Sequence, residues 1–349
     1  MALADACAQT MIAVEPHDVG SDTEWDGFLT GREDGLFWYS AAYRAVLRDL
    51  MPVTEHSLVA REDGRIVGVL PLFALDGPVG RVYNSLPYYG GHGGILAASR
   101  DAELALSDAY RKIATATDTV SAAAVSNPFS SQDRSLLPRT HGDDRFSQFT
   151  PLDEPDRAAF TARWESRARW SVRKAERAGV VVERDPSALA WLVDEHTRGM
   201  ISVGAVPKEP RFFELAAKHL PIGDTSEIWV ARHEGQPIAA VLIFYFNGIA
   251  EYFTPAVDPD MRSLQPLSLL VATAMFDAVA RGCRVWNWGG TAPSLHSLFL
   301  FKRQWGSDKR TYGYDVFVND DSVLDRTSAE LLAGYPHFFV APFSALRAE

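Results

Sequence analysis

The alternation of apolar and polar positions predicts strands and helices in an order that occurs twice along the chain. The segment VAREDGRIVGVLPLF (59–73) aligns without gaps on VARHEGQPIAAVLIF (230–244), and each copy has the Gly-containing turn typical of a β-hairpin. The same further elements follow in both copies: strands at 81–86 and 249–256, helices at 101–116 and 267–281, and strands at 120–125 and 284–288. Two copies of one α/β unit are the simplest explanation; chance recurrence of a common hairpin pattern is the alternative.

The segment between the copies predicts an amphipathic helix with a strongly positive face. Asp156 is a candidate N-cap, and Gly179 ends the helix before a strand at 180–183. At about 100° per residue, one face is apolar and comprises Trp164, Ala168, Val172 and Ala175. The opposite side carries Trp170 and six cations, namely Arg163, Arg167, Arg169, Arg173, Lys174 and Arg177. This side is either an ordinary solvated face or a surface that binds an anion.

Composition narrows the class of protein. The chain has 349 residues, 47% of them hydrophobic and 23% charged, which fits a globular protein of two domains. The net charge of −11 argues against a protein coated for nucleic acid, so we expect no DNA partner, although a local basic patch is compatible with it. The two cysteines, Cys7 and Cys283, argue against a disulfide framework and favour a reducing compartment.

Neither a targeting signal nor a membrane span is expected. The first ten residues, MALADACAQT, lack the basic region of a secretory signal. The longest apolar run, 238–246, is too short to cross a bilayer. We therefore expect a cytoplasmic protein.

Five segments occur in the order found in FemABX-like proteins, and the second half of the chain resembles that family. They are SVRKAERAGVVVERDP, VPKEPRFFELAAKHL, the hairpin with GQPIAAVLIF, EYFTPAVDPDMRSLQPLSLLV, and WNWGGT followed by LFLFKRQWGS. FemABX-like proteins belong to the GNAT (N-acetyltransferase) superfamily. The resemblance is close over most of the second half and reaches the first half mainly through the repeat.

The resemblance implies an α/β fold with mixed α+β sheets, built from two tandem GNAT-like domains with a cleft between them. The expected first domain covers 1–150 and is completed by 312–349, which begins with a strand at 312–318. The expected second domain covers 151–311 and includes a basic entry helix at 161–178.

The resemblance also implies amide-bond formation. FemABX-like proteins transfer an amino acid from aminoacyl-tRNA to an amine, typically on a cell-wall precursor or an antibiotic scaffold. The leading hypothesis is therefore an aminoacyl-tRNA-dependent transferase that needs no cofactor and binds the tRNA through Arg169, Arg173, Lys174 and Arg177. The alternatives are an acyl-CoA-dependent N-acyltransferase and a non-catalytic GNAT-like binding module.

Amide formation needs a neutral amine, an activated carbonyl and a group that stabilises the developing oxyanion. No Ser or Cys occupies a nucleophile-elbow pattern, and the nine histidines have no metal-ligand spacing. The pair Phe301–Lys302 matches a Phe-Lys pair of the family, which implies a catalytic lysine in an aromatic environment. The alternative is a lysine that reaches the surface with its stem over Trp305.

The acceptor side is implied by further matches to the family. Arg211 in PKEPRFF matches an arginine that binds the acceptor's phosphates, with Lys208 one turn away; an exposed residue at a helix start is the alternative. Tyr252 matches a tyrosine that lines the acceptor cleft. Its neighbour Glu251 points to the opposite face of the strand and is, with Asp258, a candidate base, so only one of Glu251 and Tyr252 can face the cleft.

Two loops depart from the family pattern. LPYYGGHGGIL (86–96) is rich in glycine, so its backbone can approach a ligand; Tyr88 and Tyr89 are candidate substrate contacts and His92 a candidate proton acceptor, unless His92 is merely solvated on a tight turn. MRSLQPLSLL (261–270) lies where GNAT enzymes hold the pyrophosphate of CoA on a glycine-rich turn. It has no glycine, and Pro266 removes a backbone donor, which counts against CoA.

Overall fold

A computed structural model describes residues 12–88, 91–292 and 294–348 as two compact units. The first comprises the chain up to Ala41, Pro52–Asp144 and the chain from Gly313 onward; the second comprises Ala42–Met51 and Arg145–Tyr312. This division differs from the expected one at the helix before Pro52 and at the boundary after Asp144. No helix in the described ranges is long and apolar enough to span a bilayer.

The structure contains the elements of both predicted repeats in the predicted order, together with further helices and strands. The helices are α1 Asp22–Leu29, α2 Ala41–Leu50, α3 Arg100–Ala114, α4 Arg157–Ala162, α5 Ser166–Arg177, α6 Leu189–Ser202, α7 Pro210–His219, α8 Pro266–Ala280, α9 His296–Arg303 and α10 Ser328–Gly334. The strands are β1 Ala13–Pro16, β2 Thr54–Glu55, β3 Leu58–Glu62, β4 Arg65–Leu70, β5 Phe73–Gly77, β6 Gly80–Asn84, β7 Leu96–Ala97, β8 Thr119–Val125, β9 His141–Pro151, β10 Val181–Arg184, β11 Ser226–His233, β12 Gln236–Phe246, β13 Ile249–Val257, β14 Val285–Gly290 and β15 Asp308–Val318.

The second unit contains a mixed sheet with strand order β10-β11-β12-β13-β14-β9. Its neighbours are antiparallel except for β13 and β14, which are parallel because the crossover helix α8 connects them. Helix α8 is apolar on nearly all sides and packs with α5 and the sheet into one buried core.

The first unit repeats the hairpin, strand, helix and strand of the second, which confirms the predicted repeat. Its strands β6 and β8 are parallel and are connected through α3, as β13 and β14 are through α8. One detail of the aligned segment is corrected. Pro71 interrupts the apolar run 66–73, so β4 pairs in the order β1-β3-β4-β7, whereas β5 pairs in the order β8-β6-β5-β2.

The basic segment forms two helices rather than the one that was expected. Asp156 caps the first, since its Oδ1 accepts the N–H of Ala159 at 2.8 Å, and Gly179 ends the second with a φ of +76°. The chain breaks between α4 and α5, where Trp164 turns into the core with its ring centroid 4.9 Å from that of Trp305. The predicted apolar face is otherwise present on α5.

Truncation of Trp305 should destabilise the second unit strongly. The side chain is completely buried and also lies 6.3 Å from the ring of Trp288, so Trp305→Ala leaves a large cavity in an aromatic cluster. We expect a loss of about 3–5 kcal/mol in the free energy of unfolding, measured by denaturant titration. Trp170→Ala is the matched control because that indole is 48% exposed, and it should cost less than about 0.5 kcal/mol. Equal losses would contradict this account of the core.

Candidate functional site

Strands β13 and β14 separate shortly after they begin to pair. They are in register at Ile249 with Val285, Ala250 with Trp286 and Glu251 with Asn287, and the pairing ends there. β14 then turns at Gly289, whose φ is +69°, and β13 carries a β-bulge at Phe253. The backbones of the two parallel strands therefore diverge after the third residue of each.

A cavity of about 440 Å³ lies beside the last residues of β13. Helix α6 contributes Glu195 and His196, and the start of α8 contributes Gln265, Pro266 and the nearby Arg262. The volume and the few polar groups in an otherwise apolar lining are typical of a small-molecule site. Phe301 also lines it, and the remaining lining residues are Gly199, Met200, Pro255, Ala256, Val257, Leu267 and Ser268.

The turn before α8 uses its own polar groups. Asp258 caps the 3₁₀ turn Pro259–Leu264 by accepting the N–H of Asp260 at 2.9 Å, so it serves the turn rather than a reacting group. Gln265 has a left-handed backbone, and its carbonyl oxygen accepts the N–H of Ser268 at 3.1 Å. With Pro266 contributing no donor, this helix start has few N–H groups to offer an anion.

Lys302 lies in the last turn of α9 and is only 3% exposed. Its Nζ donates to the carbonyl oxygens of Gly290 at 2.8 Å and Gly289 at 3.3 Å, and to Oγ1 of Thr291 at 2.8 Å. No carboxylate pairs with this ammonium in the described part of the chain, and burial lowers the pKa of Lys302 to about 7. The side chain therefore points inward and does not reach the surface over Trp305.

A second layer of polar groups surrounds this lysine. Asn287 accepts the N–H of Gly289 with its Oδ1 at 2.8 Å, which holds the glycine turn in place. Gln148, fully buried, lies 3.5 Å from Oγ1 of Thr291 and donates to the carbonyl oxygen of Phe299 at 3.2 Å. The oxygens around Lys302 are thus fixed by residues of β9, β14 and α9.

The structure separates Glu251 from Tyr252, as strand alternation predicts. Tyr252 lies in the apolar core, 5.0 Å from the ring of Trp288, and burial raises the pKa of its hydroxyl. Glu251 is 2% exposed on the other face, and burial raises the pKa of its carboxyl to about 8, opposed by the weaker effect of Asn287. Of the two, Glu251 is the group with acid–base chemistry to offer.

The predicted phosphate-binding pair lies at and before the start of α7. Arg211 is exposed, and its Nη2 donates to the carbonyl oxygen of Asp49 at 2.9 Å. The backbone N–H of Lys208 lies 3.4 Å from Nε2 of His196, and its ammonium lies 4.9 Å from the ring centroid of Phe253. Burial lowers the pKa of Lys208 to about 8 and that of His196 to about 4, so this histidine is neutral at pH 7.

Glu195 and His196 of the cavity wall were missed by sequence reasoning. The signal is the adjacent Glu-His pair in LVDEHTRGM, two polar residues that turn inward on a helix. Glu195 is 4% exposed and pairs with Arg198 at 2.5 Å. Nothing in the spacing alone separates such a pair from an ordinary solvated one.

The glycine-rich loop belongs to the first unit. His92 is 1% exposed rather than solvated; its Nδ1 lies 3.3 Å from the carbonyl oxygen of Ser126, and burial lowers its pKa to about 3. Tyr88 has a φ of +67° and donates its backbone N–H to the carbonyl oxygen of His337 at 2.9 Å. Tyr89 lies outside the described residues. The roles expected of these three residues stay predictions.

The basic face of α5 is smaller than its sequence indicates. Arg169 folds back onto the carbonyl oxygens of Thr161 and Trp164, and its guanidinium is therefore occupied. Arg173, Lys174 and Arg177 have no acidic partner among the residues that the structure describes. Lys174 lies 5.3 Å from the ring centroid of the exposed Trp170. We call these four residues, Trp170, Arg173, Lys174 and Arg177, the basic surface.

Comparison with known proteins agrees with this geometry. Residues 163–296 match a family model described as Acetyltransferase (GNAT) domain. This region is thus similar to a GNAT domain. The match includes β11 to β14, α8 and the cavity lining except Phe301, and it ends six residues before Lys302. No curated protein matches the chain.

Solved structures extend the GNAT likeness over most of the chain. The crystal structure of FemX superposes with a TM-score of 0.70 at 14% identity, covering 86% of this chain and 96% of that one. A tandem GNAT protein from the clavulanic acid biosynthesis pathway gives 0.50 at 14% identity, covering 88% and 98%. At these identities the likeness establishes the fold alone, which confirms the expected α/β fold of tandem GNAT-like units. With the domain match, it supports an acyltransferase in general.

Lys302→Met should raise stability most at low pH. Below pH 7 the lysine is charged in both the folded and the unfolded chain, so folding bears the full cost of burying an ammonium. Between pH 7 and its ordinary pKa of 10.5 the folded chain alone loses the proton, so that cost disappears. The variant's advantage in unfolding free energy should therefore fall by up to about 4 kcal/mol from pH 6 to pH 10.5, measured by denaturant titration.

Glu251→Gln should change the unfolding free energy with the opposite pH dependence. Below its ordinary pKa of 4.5 the carboxyl is neutral in both the folded and the unfolded chain. Between pH 4.5 and about pH 8 only the unfolded chain loses the proton, so the cost that the buried carboxyl adds to folding grows with pH. The stabilising effect of this variant should therefore grow with pH over that window. If the stabilising effects of Lys302→Met and Glu251→Gln changed with pH in the same direction, the burial costs assigned to these two groups would be wrong.

Proposed function

We propose that the protein is an aminoacyltransferase that takes an amino acid from aminoacyl-tRNA and joins it to an amine through an amide bond. The observation that carries the proposal is the environment of Lys302: a buried ammonium, held by neutral oxygens and bearing no carboxylate partner in the described ranges. It directly follows Phe301, which lines the cavity. The three N–H bonds of the ammonium are used by these oxygens, so its positive charge would act on an anion formed nearby through its electrostatic field.

The chemistry requires such a charge. The acceptor amine attacks the ester carbonyl of the donor, a C–N bond forms, and the carbonyl oxygen becomes an oxyanion. Collapse of this intermediate breaks the C–O bond to the terminal ribose, whose oxygen leaves with a proton. A positive charge in a dry site lowers the energy of the oxyanion far more than it would in water. Lys302 is proposed for that role, and Glu251 for taking the proton from the amine.

The basic surface supports tRNA as the source of the acyl group. Arg173, Lys174 and Arg177 present cations without acidic partners among the described residues on a chain whose net charge is −11. Phosphate backbones bind such clusters with release of counter-ions, and an exposed indole such as Trp170 offers a stacking platform for an unpaired base. A cytoplasmic location, where charged tRNA is found, belongs to the same proposal.

Acyl-CoA is the second candidate donor. The cavity at the start of α8, with Arg262 and Gln265 in its wall, favours it, since GNAT enzymes bind CoA at this place. Pro266 and the bond from the Ser268 N–H to the Gln265 carbonyl oxygen count against it, because they leave few donors for a pyrophosphate. Arg211 and Lys208 remain the proposed contacts for an acceptor that carries phosphate.

Removal of the basic surface cations should weaken tRNA binding in a salt-dependent manner. We expect the triple variant Arg173→Ala, Lys174→Ala, Arg177→Ala to have a less steep slope of log binding constant against log salt concentration. The slope should decrease in magnitude by about two to three, because up to three phosphate contacts are lost. Fluorescence anisotropy with charged tRNA at several salt concentrations measures this slope.

The control replaces three arginines that have acidic partners, Arg61, Arg81 and Arg100. Their removal changes the net charge equally and should leave the slope within about one of the wild-type value. An identical slope in the two triple variants would overturn binding at the basic surface. Binding of acetyl-CoA in place of charged tRNA would favour the second candidate.

Lys302→Met should keep the fold and lose activity. The aliphatic stem is replaced by a side chain of similar length, whereas the charge that meets the oxyanion is removed. Single-turnover transfer should slow by about 10²–10³-fold, as is typical when one oxyanion-stabilising donor is lost. Lys218→Met is the control, since Lys218 is exposed and bound to Asp49 at 2.7 Å. Full transfer by Lys302→Met would remove this lysine from the mechanism.

A further inference from the structure

The β-bulge in β13 changes the direction of one side chain. Ile243 of β12 pairs with Tyr252, but the next partner of the bulged strand, opposite Leu242, is Thr254, so Phe253 is the extra residue. Directly opposed residues share a face of the sheet. Thr254 therefore lies on the face of Leu242, which is also the face of Phe244 and of its partner Glu251. Without the bulge, Thr254 would share the opposite face with Tyr252.

Three buried polar atoms lie on this face. They are Oε1 of Glu251, Oγ1 of Thr254 and Nδ2 of Asn287; none makes a hydrogen bond of ordinary length to a described residue, and the side chain of Asn287 acts only weakly on the Glu251 carboxyl across the strand pair. Glu251 is 2% exposed and the other two are fully buried. Asn287 is the register partner of Glu251 across the parallel pair, so its side chain shares the same face. Buried polar groups are nearly always paired, and three such atoms on adjacent positions indicate a place for a polar guest.

The chemistry of the group favours an ammonium over an anion. A carboxyl and a hydroxyl both offer oxygen atoms that accept N–H donors, and the carboxylate would repel an anion. The face is also aromatic, since the ring of Phe253 lies 5.0 Å from that of Phe244 and 5.3 Å from that of Phe212. Phe253 already takes the Lys208 ammonium on its ring at 4.9 Å. Such walls attract cations.

None of the three residues lines the cavity described above, but β13, which carries Glu251 and Thr254, continues into the wall of that cavity. Pro255, the residue after Thr254, lines that cavity, as do the two residues that follow it. We infer that Glu251, Thr254 and Asn287 form a subsite for the primary amine of the acceptor, and that the bulge exists to bring Thr254 into it. This inference rests on the proposed transfer to an amine.

Thr254 has a defined part in this subsite. The acceptor enters as an ammonium, which donates one N–H to Oγ1 of Thr254 and another to Oε1 of Glu251. The positive charge of the bound ammonium favours the ionised form of Glu251. One proton passes to this carboxylate, and the freed lone pair of the amine attacks the donor carbonyl. When the C–O bond to the ribose breaks, the second proton of the nitrogen leaves with the ribose oxygen. Thr254 thus positions the amine, and Asn287 stabilises the carboxylate before the transfer.

The test compares Thr254→Val with Thr225→Val. Both changes keep the shape of the side chain and remove a buried hydroxyl that has no partner in the described residues. Thr254→Val should raise the KM for the amine acceptor at least tenfold and leave tRNA affinity unchanged, while Thr225→Val changes neither. Thr254→Ser, which keeps the hydroxyl, should retain most of the wild-type KM. An unchanged KM in Thr254→Val, with a gain in melting temperature like that of Thr225→Val, would overturn the subsite.

A binding probe separates this inference from the proposed function. Ethylammonium chloride should raise the melting temperature of the wild type above the effect of tetramethylammonium, which has the charge but no N–H, and Thr254→Val should lose that difference. If the wild type transfers nothing from aminoacyl-tRNA yet shows this shift, the proposed function fails and the subsite stands. If the wild type does transfer the amino acid, but Thr254→Val changes neither the shift in melting temperature nor the KM, the inferred subsite is wrong and the proposed function stands.

Discussion

The burial of the Lys302 ammonium against the carbonyl oxygens of Gly289 and Gly290 is the interaction on which the candidate site depends. Two carbonyl dipoles and the hydroxyl of Thr291 replace water around the charge, but no carboxylate neutralises it within the described residues. Such an arrangement is costly and persists only where the surroundings are rigid. The aromatic cluster around Trp305 and the left-handed turn at Gly289 supply that rigidity.

The same region explains why the sheet opens. Two strands become parallel because α8 returns the chain to the same edge of the sheet, and their pairing stops after Glu251 and Asn287. From there the bulge at Phe253 bends one strand and the turn at Gly289 bends the other. The cavity, the buried carboxyl and the buried ammonium thus arise from one local feature, the end of a short parallel pair.

The element order could be predicted from the sequence because the hairpin pattern and the crossover helix leave periodic apolar positions, as in the segments that became β11 and β12. Register could not. A single extra residue at Phe253 decides the face of Thr254, and no periodicity records it. The hydrogen bonding of individual side chains could not be predicted either. Arg169 has the spacing of a free cation, yet its guanidinium binds a backbone carbonyl oxygen of the preceding turn. Lys302 was found through resemblance rather than through pattern.

The two unneutralised groups also bear on whether the fold is catalytic. A GNAT-like module that only bound a partner would gain stability by replacing Lys302 and Glu251 with apolar residues, because each is buried without a counter-charge in the described part of the chain. Their costs are, moreover, opposite in pH dependence, so no single pH relieves both. A buried ammonium and a buried carboxyl near the end of one strand pair lower the stability of the fold, and packing does not require either of them. The proposed acyl transfer would use both groups, the ammonium for the oxyanion in one step and the carboxyl as a base for the amine in another.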